Sequence, residues 1–176
     1  MFILNTKKKE QDNHKKEISI ALLNQNYDGS SYNIAIGYNA GANITTGVRN
    51  ILIGGLAGDA LTAGSYNTGL GYGALSAEDA HGHNTAIGYQ ALASQNAGAE
   101  AYNVAIGHTA GLSVSTGVRN TIVGSLSGDA LTTGLANTAL GAFSLGADTE
   151  GKYSVAIGQA ALATQNLTTA TDVYNV

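Results

Sequence analysis

Few residues in this 176-residue chain have the types and spacing that chemistry needs. His81-Gly82-His83, close behind Glu78 and Asp79, puts imidazoles and carboxylates into one turn, a set that can hold a metal ion. A histidine pair in a polar turn more often sits in solvent, and the matching positions of the second half are Gly151 and Tyr153, so no metal ligand is assigned. Arg49 and Arg119, with Asp59 and Asp129, occupy matched positions, which suits salt bridges between neighbouring coils or chains better than a saccharide or ion site. Tyr38, Tyr72 and Tyr89 suit interchain packing first and contact with a receptor or glycan second. The glycine-rich turns never read GxxxxGK[ST]. The chain has no Cys, which removes disulfides, thiolate metal sites and thiol catalysis together. No Ser-His-Asp set or carboxylate pair has a supporting context. The expectation is a protein that is not an enzyme, with no catalytic residue and no cofactor.

What must position these residues is a short repeat. A cassette Asn-x-x-aliphatic-Gly recurs eight times, opening at Asn33, Asn50, Asn67, Asn84, Asn103, Asn120, Asn137 and Ser154. It closes at Gly37, Gly54, Gly71, Gly88, Gly107, Gly124, Gly141 and Gly158; six intervals are 17 residues and one is 19. So short a period means stacked coils, because a unit of that size cannot bury an apolar face alone. A longer rhythm overlies it: 34 of the 65 positions from Tyr32 to Asn96 are identical to the residue 70 further on, so a four-coil unit (32–101) is duplicated (102–166). Residues 1–29 form a polar arm with an apolar run, Ile18 to Leu23, and residues 30–166 the repeat domain. The segment 167–176 breaks period, yet Tyr174-Asn175-Val176 copies Tyr102-Asn103-Val104 as if a further coil began.

Side chains alternate faces along a strand. The residue before each closing glycine is Ile36, Ile53, Leu70, Ile87, Ile106, Val123, Leu140 or Ile157, and it shares a side with the residue two earlier. That side is expected to be the interior, with the small residue between them facing a close neighbour. A second short strand is expected three residues after the glycine (Ala40-Gly41, Ala57-Gly58, Ala74-Leu75, Ala91-Leu92 and their counterparts). The opening asparagines suit either a ladder of stacked side-chain amides or merely the turn that enters the strand. The fold class is therefore all-β: a parallel β-roll, a short-coil β-solenoid of eight coils, about 40 Å long at the usual strand spacing.

The formal net charge is −4, yet five of the eight basic residues lie in the first 16 positions, so the rod itself is anionic and no nucleic-acid partner is expected. No apolar run is long enough to span a membrane. The Met1-to-Lys9 stretch lacks the apolar region of a secretory signal. One or two aliphatic side chains per coil give thin shelter against an ordering cost of about 1–2 kcal/mol per residue, so several parallel rolls are expected to associate.

The stretches Asn84 to Leu92 (NTAIGYQAL), Tyr102 to Gly107 (YNVAIG) and Ser154 to Gly158 (SVAIG) resemble two related repeat families. One is the head of trimeric autotransporter adhesins; the other is the NTALGYQAL-type repeat of bacteriophage tail and head fibres, whose spacing is the nearer match. The resemblance covers about three quarters of the chain. It implies a left-handed β-roll, a homotrimer, and a virion protein assembled in the host cytoplasm. Residues 1–29 would then dock on a capsid, baseplate or tail protein while the rod projects toward a host-surface receptor or glycan. The adhesins' secretion signal and anchoring barrel have no counterpart here. The alternative is a bacterial surface adhesin head binding host matrix or cells. An ice-binding solenoid ranks low, since Thr68, Thr85, Thr121 and Thr138 cover only half the coils at their position.

Overall fold

A computed structural model describes residues 31–169 together with 172, 174 and 175; the arm 1–29 and its Ile18–Leu23 run lie outside the described residues. The fold is an all-β parallel solenoid. Its strands are β1 (Ile34–Ile36), β2 (Ile51–Ile53), β3 (Thr68–Leu70), β4 (Thr85–Ile87), β5 (Val104–Ile106), β6 (Thr121–Val123), β7 (Thr138–Leu140) and β8 (Val155–Ile157). They form one eight-stranded sheet in sequence order. Every pairing is parallel and aligns equivalent cassette positions, as in Ile34↔Ile51 and Thr121↔Thr138. The two extra residues between β4 and β5 leave that register intact, Thr85 pairing with Val104.

The expected second strand is absent. Two and four residues beyond each cassette glycine the backbone turns left-handed, at φ 54° for Asn39 and 56° for Gly41, at 59° for Leu56 and 55° for Gly58. Two such residues so close together bend the chain instead of extending it. These turns still bond coil to coil: the Gly41 amide donates to the Ala57 carbonyl at 2.9 Å, and Leu75 to Ala91 at 3.1 Å.

The asparagine ladder and the turn reading both hold. The Asn50 amide donates to Asn33 Oδ1 at 2.8 Å, Asn67 to Asn50 Oδ1 at 2.9 Å, and so on up to Ser154 on Asn137 Oδ1 at 2.9 Å. Each Nδ2 tends to close its own coil, as where Asn120 donates to the Gly134 carbonyl at 2.9 Å. The residue before each asparagine sits at positive φ, for example Arg49 at 59° and Tyr66 at 61°, and this corner turns the asparagine inward.

That inward asparagine overturns the expected facing. Positions 33, 35 and 37 of a strand share parity, so once Asn33 points in, the middle residue does too and its neighbours point out. Ala35, Leu52, Ala86, Ala105, Ile122, Ala139 and Ala156 are fully buried. Ile36, Ile53, Leu70, Ile87, Ile106, Val123, Leu140 and Ile157 are not core residues of the single chain; they line its outer face, Ile157 being 64% exposed and Leu140 45%.

The interior is shared by three positions per coil, whose sizes compensate in six of the eight coils; Ala35 with Gly41 and Ala105 with Gly111 are both small. Where the strand offers Leu52 the turn has Gly58; a Cβ there would lie 2.8 Å from Leu52 Cδ2. Where the strand offers Gly69, Ala86 or Ala139 the turn has Leu75, Leu92 or Leu145, all buried. The third position is aliphatic beside a turn glycine (Ile44, Leu61, Val114, Leu131) and polar beside a turn leucine (Glu78, Gln95, Asp148, Gln165). Leu52→Ala is accordingly expected to cost about 3 kcal/mol in urea unfolding through the cavity it leaves. Ile53→Ala, one residue along, should cost the isolated chain under about 1 kcal/mol; equal losses would contradict this facing.

Candidate functional site

With the facing reversed, the outer side of the sheet becomes the feature to explain. Four side-chain columns run along it. The inner two are the outward strand residues, Ile34 and Ile36 in the first coil, Thr68 and Leu70 in the third, Val104 and Ile106 in the fifth. The first flanking column is Tyr32, Arg49, Tyr66, His83, Tyr102, Arg119, Ala136 and Tyr153; the second is Tyr38, Gly55, Tyr72, Tyr89, His108, Ser125, Ala142 and Gln159. Tyr32 is 69% exposed and Tyr38 71%, and none of the described residues covers them.

Equivalent positions one coil apart stack. Tyr66 and His83 have centroids 4.8 Å apart and His83 and Tyr102 4.9 Å, so the imidazole lies between two phenol rings. On the other side Tyr72 stacks on Tyr89 at 5.7 Å, and Tyr89 on His108 at 5.2 Å. Six rings thus form a belt across coils three to five. Beyond β8 the pattern continues, with the Tyr174 ring 5.1 Å from that of Tyr153 and the Val155 amide donating to the Asn175 carbonyl at 2.7 Å.

The residues singled out for chemistry are distributed differently from what their spacing promised. Arg49 does not pair with Asp59; its guanidinium lies over the Tyr66 ring, 5.2 Å from the centroid, and bonds the Tyr66 hydroxyl. Among the described residues the ion-pair contacts are His81–Glu78 at 4.0 Å and His83–Glu100 at 3.8 Å. Glu100 comes from the two-residue insertion, and its carboxylate also accepts the Gly82 amide at 2.9 Å. His81 and His83 are drawn apart, one toward Glu78 and the other into the aromatic column. Among the described residues no three His, Asp or Glu side chains converge as a metal site would require, and no helix is long and apolar enough to cross a membrane.

A buried polar column, by contrast, was not foreseen. Glu78 is fully buried, accepting the His81 amide at 3.1 Å and Asn84 Nδ2 at 3.4 Å. One unit later Asp148 accepts Gln165 Nε2 at 2.7 Å and the Gly151 amide at 3.1 Å. The signal was present: these acids and amides stand where the other coils have Ile44, Leu61, Val114 and Leu131, in step with the turn leucines.

Burial pushes the Glu78 carboxyl above its ordinary value, and Asp59 and Asp129 move the same way for the same reason. A carboxyl whose folded pKa is raised binds its proton more tightly folded than unfolded. Its contribution to stability is therefore full below the ordinary carboxylate range and is lost as pH rises through the folded value. The rod is expected to melt higher near pH 4.5 than at pH 7.5. Glu78→Gln, the residue type of its own column at Gln95 and Gln165, should raise the melting temperature at pH 7.5 and flatten that dependence. A variant less stable than the parent at pH 7.5 would contradict the assignment.

Comparison with protein-family models, curated proteins and solved structures yields no match to this chain.

Proposed function

We propose that the chain is the subunit of a homotrimeric, left-handed β-roll that serves as a fibre or spike of a bacteriophage particle. In this reading residues 1–29 attach to a capsid, baseplate or tail protein, and the rod projects to contact the host surface. The observation that carries the proposal is the sheet face left open among the described residues, where Ile34, Leu70, Leu140 and Ile157, with Tyr32, Tyr38, Tyr66, Tyr72 and Tyr153, are exposed to solvent. Monomeric proteins rarely leave contiguous apolar patches larger than a few hundred Å² open, and such a patch marks a surface that meets another protein. The 17-residue NTAIGYQAL repeat supports the fibre type over other oligomeric rods, and its role is mechanical display, with no reaction to perform.

Light scattering on the full chain should give three times the 17.8 kDa subunit mass. The double variant Ile53→Asp/Leu140→Asp should lower that mass while keeping the β-rich circular dichroism spectrum, since neither side chain belongs to the chain's own core. Mass spectrometry of purified particles should find the full chain among their proteins, and deletion of residues 1–25 should remove it from the particle without dissociating the trimer. A folded monomer at all concentrations would end the oligomeric reading; a trimer found only on a bacterial cell surface would replace the phage fibre by an adhesin head.

A further inference from the structure

The near end of the stack is a strand edge with a rung missing. β1 ends the sheet, and no described strand pairs with its other side. Each later cassette glycine donates its amide to the coil before it, Gly54 to the Ile36 carbonyl at 2.7 Å and Gly71 to Ile53 at 2.8 Å. Each later opening amide donates to the preceding asparagine, as Asn50 does to Asn33 Oδ1 at 2.8 Å. Gly37 and Asn33 make neither bond within the described residues, and amides in a row at a sheet edge are a template for another strand. The interior is nonetheless closed at this end. Ala40 and Ile44 of the first coil are fully buried, whereas their counterparts in the eighth, Ala161 and Gln165, are only partly so. The far end shows one way to cover such an edge, since the chain's own Tyr174 and Asn175 lie against the eighth coil.

We infer that the near edge is capped by the chain's own arm, residues 17–20 adding a parallel strand to β1 with Ile18 beside Ile34 and Ile20 beside Ile36. Glu17-Ile18-Ser19-Ile20-Ala21 stands 16 residues before Asn33-Ile34-Ala35-Ile36-Gly37, one short of the period, and repeats its order of polar, aliphatic, small, aliphatic, small. In that register the Ile20 carbonyl accepts the Gly37 amide, and the Glu17 carboxylate offers the Asn33 amide the oxygen that an asparagine supplies elsewhere. Ala21 makes the rung a cap instead of a full coil. A Cβ at the equivalent Gly37 would lie 2.5 Å from the Gly54 carbonyl carbon, so an alanine cannot repeat that bend and the chain leaves the stack after Ile20. Terminal units of solenoids are atypical in this way, and the charged Lys15, Lys16 and Glu17 discourage a further strand. The cap does not depend on the fibre reading. Where that reading holds, residues 1–16, with five of the chain's eight basic residues, are left for attachment.

Amide hydrogen exchange, read by NMR on the purified full chain, tests the cap. In this register the Ile20 backbone bonds toward β1, as Ile36 bonds toward the second coil, and the Ser19 amide faces away. Ile20→Pro therefore removes a ladder donor, and it should speed exchange of the Gly37 and Asn33 amides about ten-fold or more, as should deletion of residues 1–25. Ser19→Pro, whose lost amide faces solvent, should leave both within about three-fold of the parent. The Gly124 amide, five coils away, should keep its protection in every variant. Fast exchange at Gly37 in the parent would overturn the cap, as would equal exchange in the two proline variants or a loss that reaches Gly124. Protection that rises with protein concentration would assign the edge to a second copy, and protection found only in purified particles would assign it to a particle protein; either result overturns the cap as well.

Discussion

Gly71→Ala is expected to lose about 3–6 kcal/mol, a large share of the roughly 5–15 kcal/mol that holds a typical domain folded. The glycine closes the third cassette at φ +138°, a region that L side chains rarely occupy, and that strain alone costs about 1–3 kcal/mol. Space adds to it. A Cβ on Gly71 would lie 2.6 Å from the Gly88 carbonyl carbon and closer still to its oxygen, both belonging to the backbone of the next coil. That backbone is itself fixed by the coil above, so it cannot yield locally, and the misfit passes along the stack. Gly158 supplies the control: it has a similar φ of +123°, yet nothing lies within 4 Å of its Cβ position. Gly158→Ala should therefore show the strain without the clash, about 1–3 kcal/mol in urea denaturation. If Gly71→Ala melts no lower than Gly158→Ala, the close approach of successive coils at the cassette glycines is wrong.

Asn120→Ala should come next, at about 3–5 kcal/mol, because one small truncation undoes three bonds in the interior. Asn120 Oδ1 accepts the Asn137 amide at 3.0 Å and Asn137 Nδ2 at 3.2 Å, while Asn120 Nδ2 donates to the Gly134 carbonyl at 2.9 Å. Both residues are buried, so the stranded Asn137 amide has no water to turn to. Asn120→Asp separates acceptance from donation. It keeps an oxygen for the Asn137 amide, gives up the bond to Gly134, and buries a charge. Its deficit should be large at pH 7.5 and shrink as the pH falls and the carboxyl takes up a proton, whereas the deficit of Asn120→Ala should not change with pH in that way. Identical, pH-independent losses for the two variants would mean that the ladder contributes by filling space alone.

These two positions also show how far the sequence could be read. Periodicity at the closing glycines announces stacked coils and fixes their number and register, since 17 residues of nearly invariant spacing permit one alignment of equivalent positions. The asparagines at seven of the eight openings suited either a ladder or the turn entering the strand, and the folded chain uses them for both. The compensation between turn and strand was half legible as well: the alternation Gly41, Gly58, Leu75, Leu92 was visible, whereas its strand partners, Leu52 and Ile122 among them, and the third interior position (Ile44, Leu61, Val114, Leu131) went unrecognised as core.

Three things needed the folded chain. The facing of each strand is a question of parity, and three-residue strands of the type Ile-Ala-Ile read equally well in either sense by hydrophobicity. Burial of the asparagine amide, whose bonds run to the next coil, decides it, because a polar group that serves the stack must point inward. The turns after each glycine were misread as strands because φ at Leu56, Leu75 and Gln90 is positive in the stacked coil, against the intrinsic preference of those residues. And Arg49, matched with Asp59 along the chain, takes an aromatic partner because its column passes over Tyr66. Spacing along the chain thus determined the stack, its rungs and their order. Which side of each rung looks outward, and hence which surface is left open, was decided only when successive rungs met and competed for the same narrow interior.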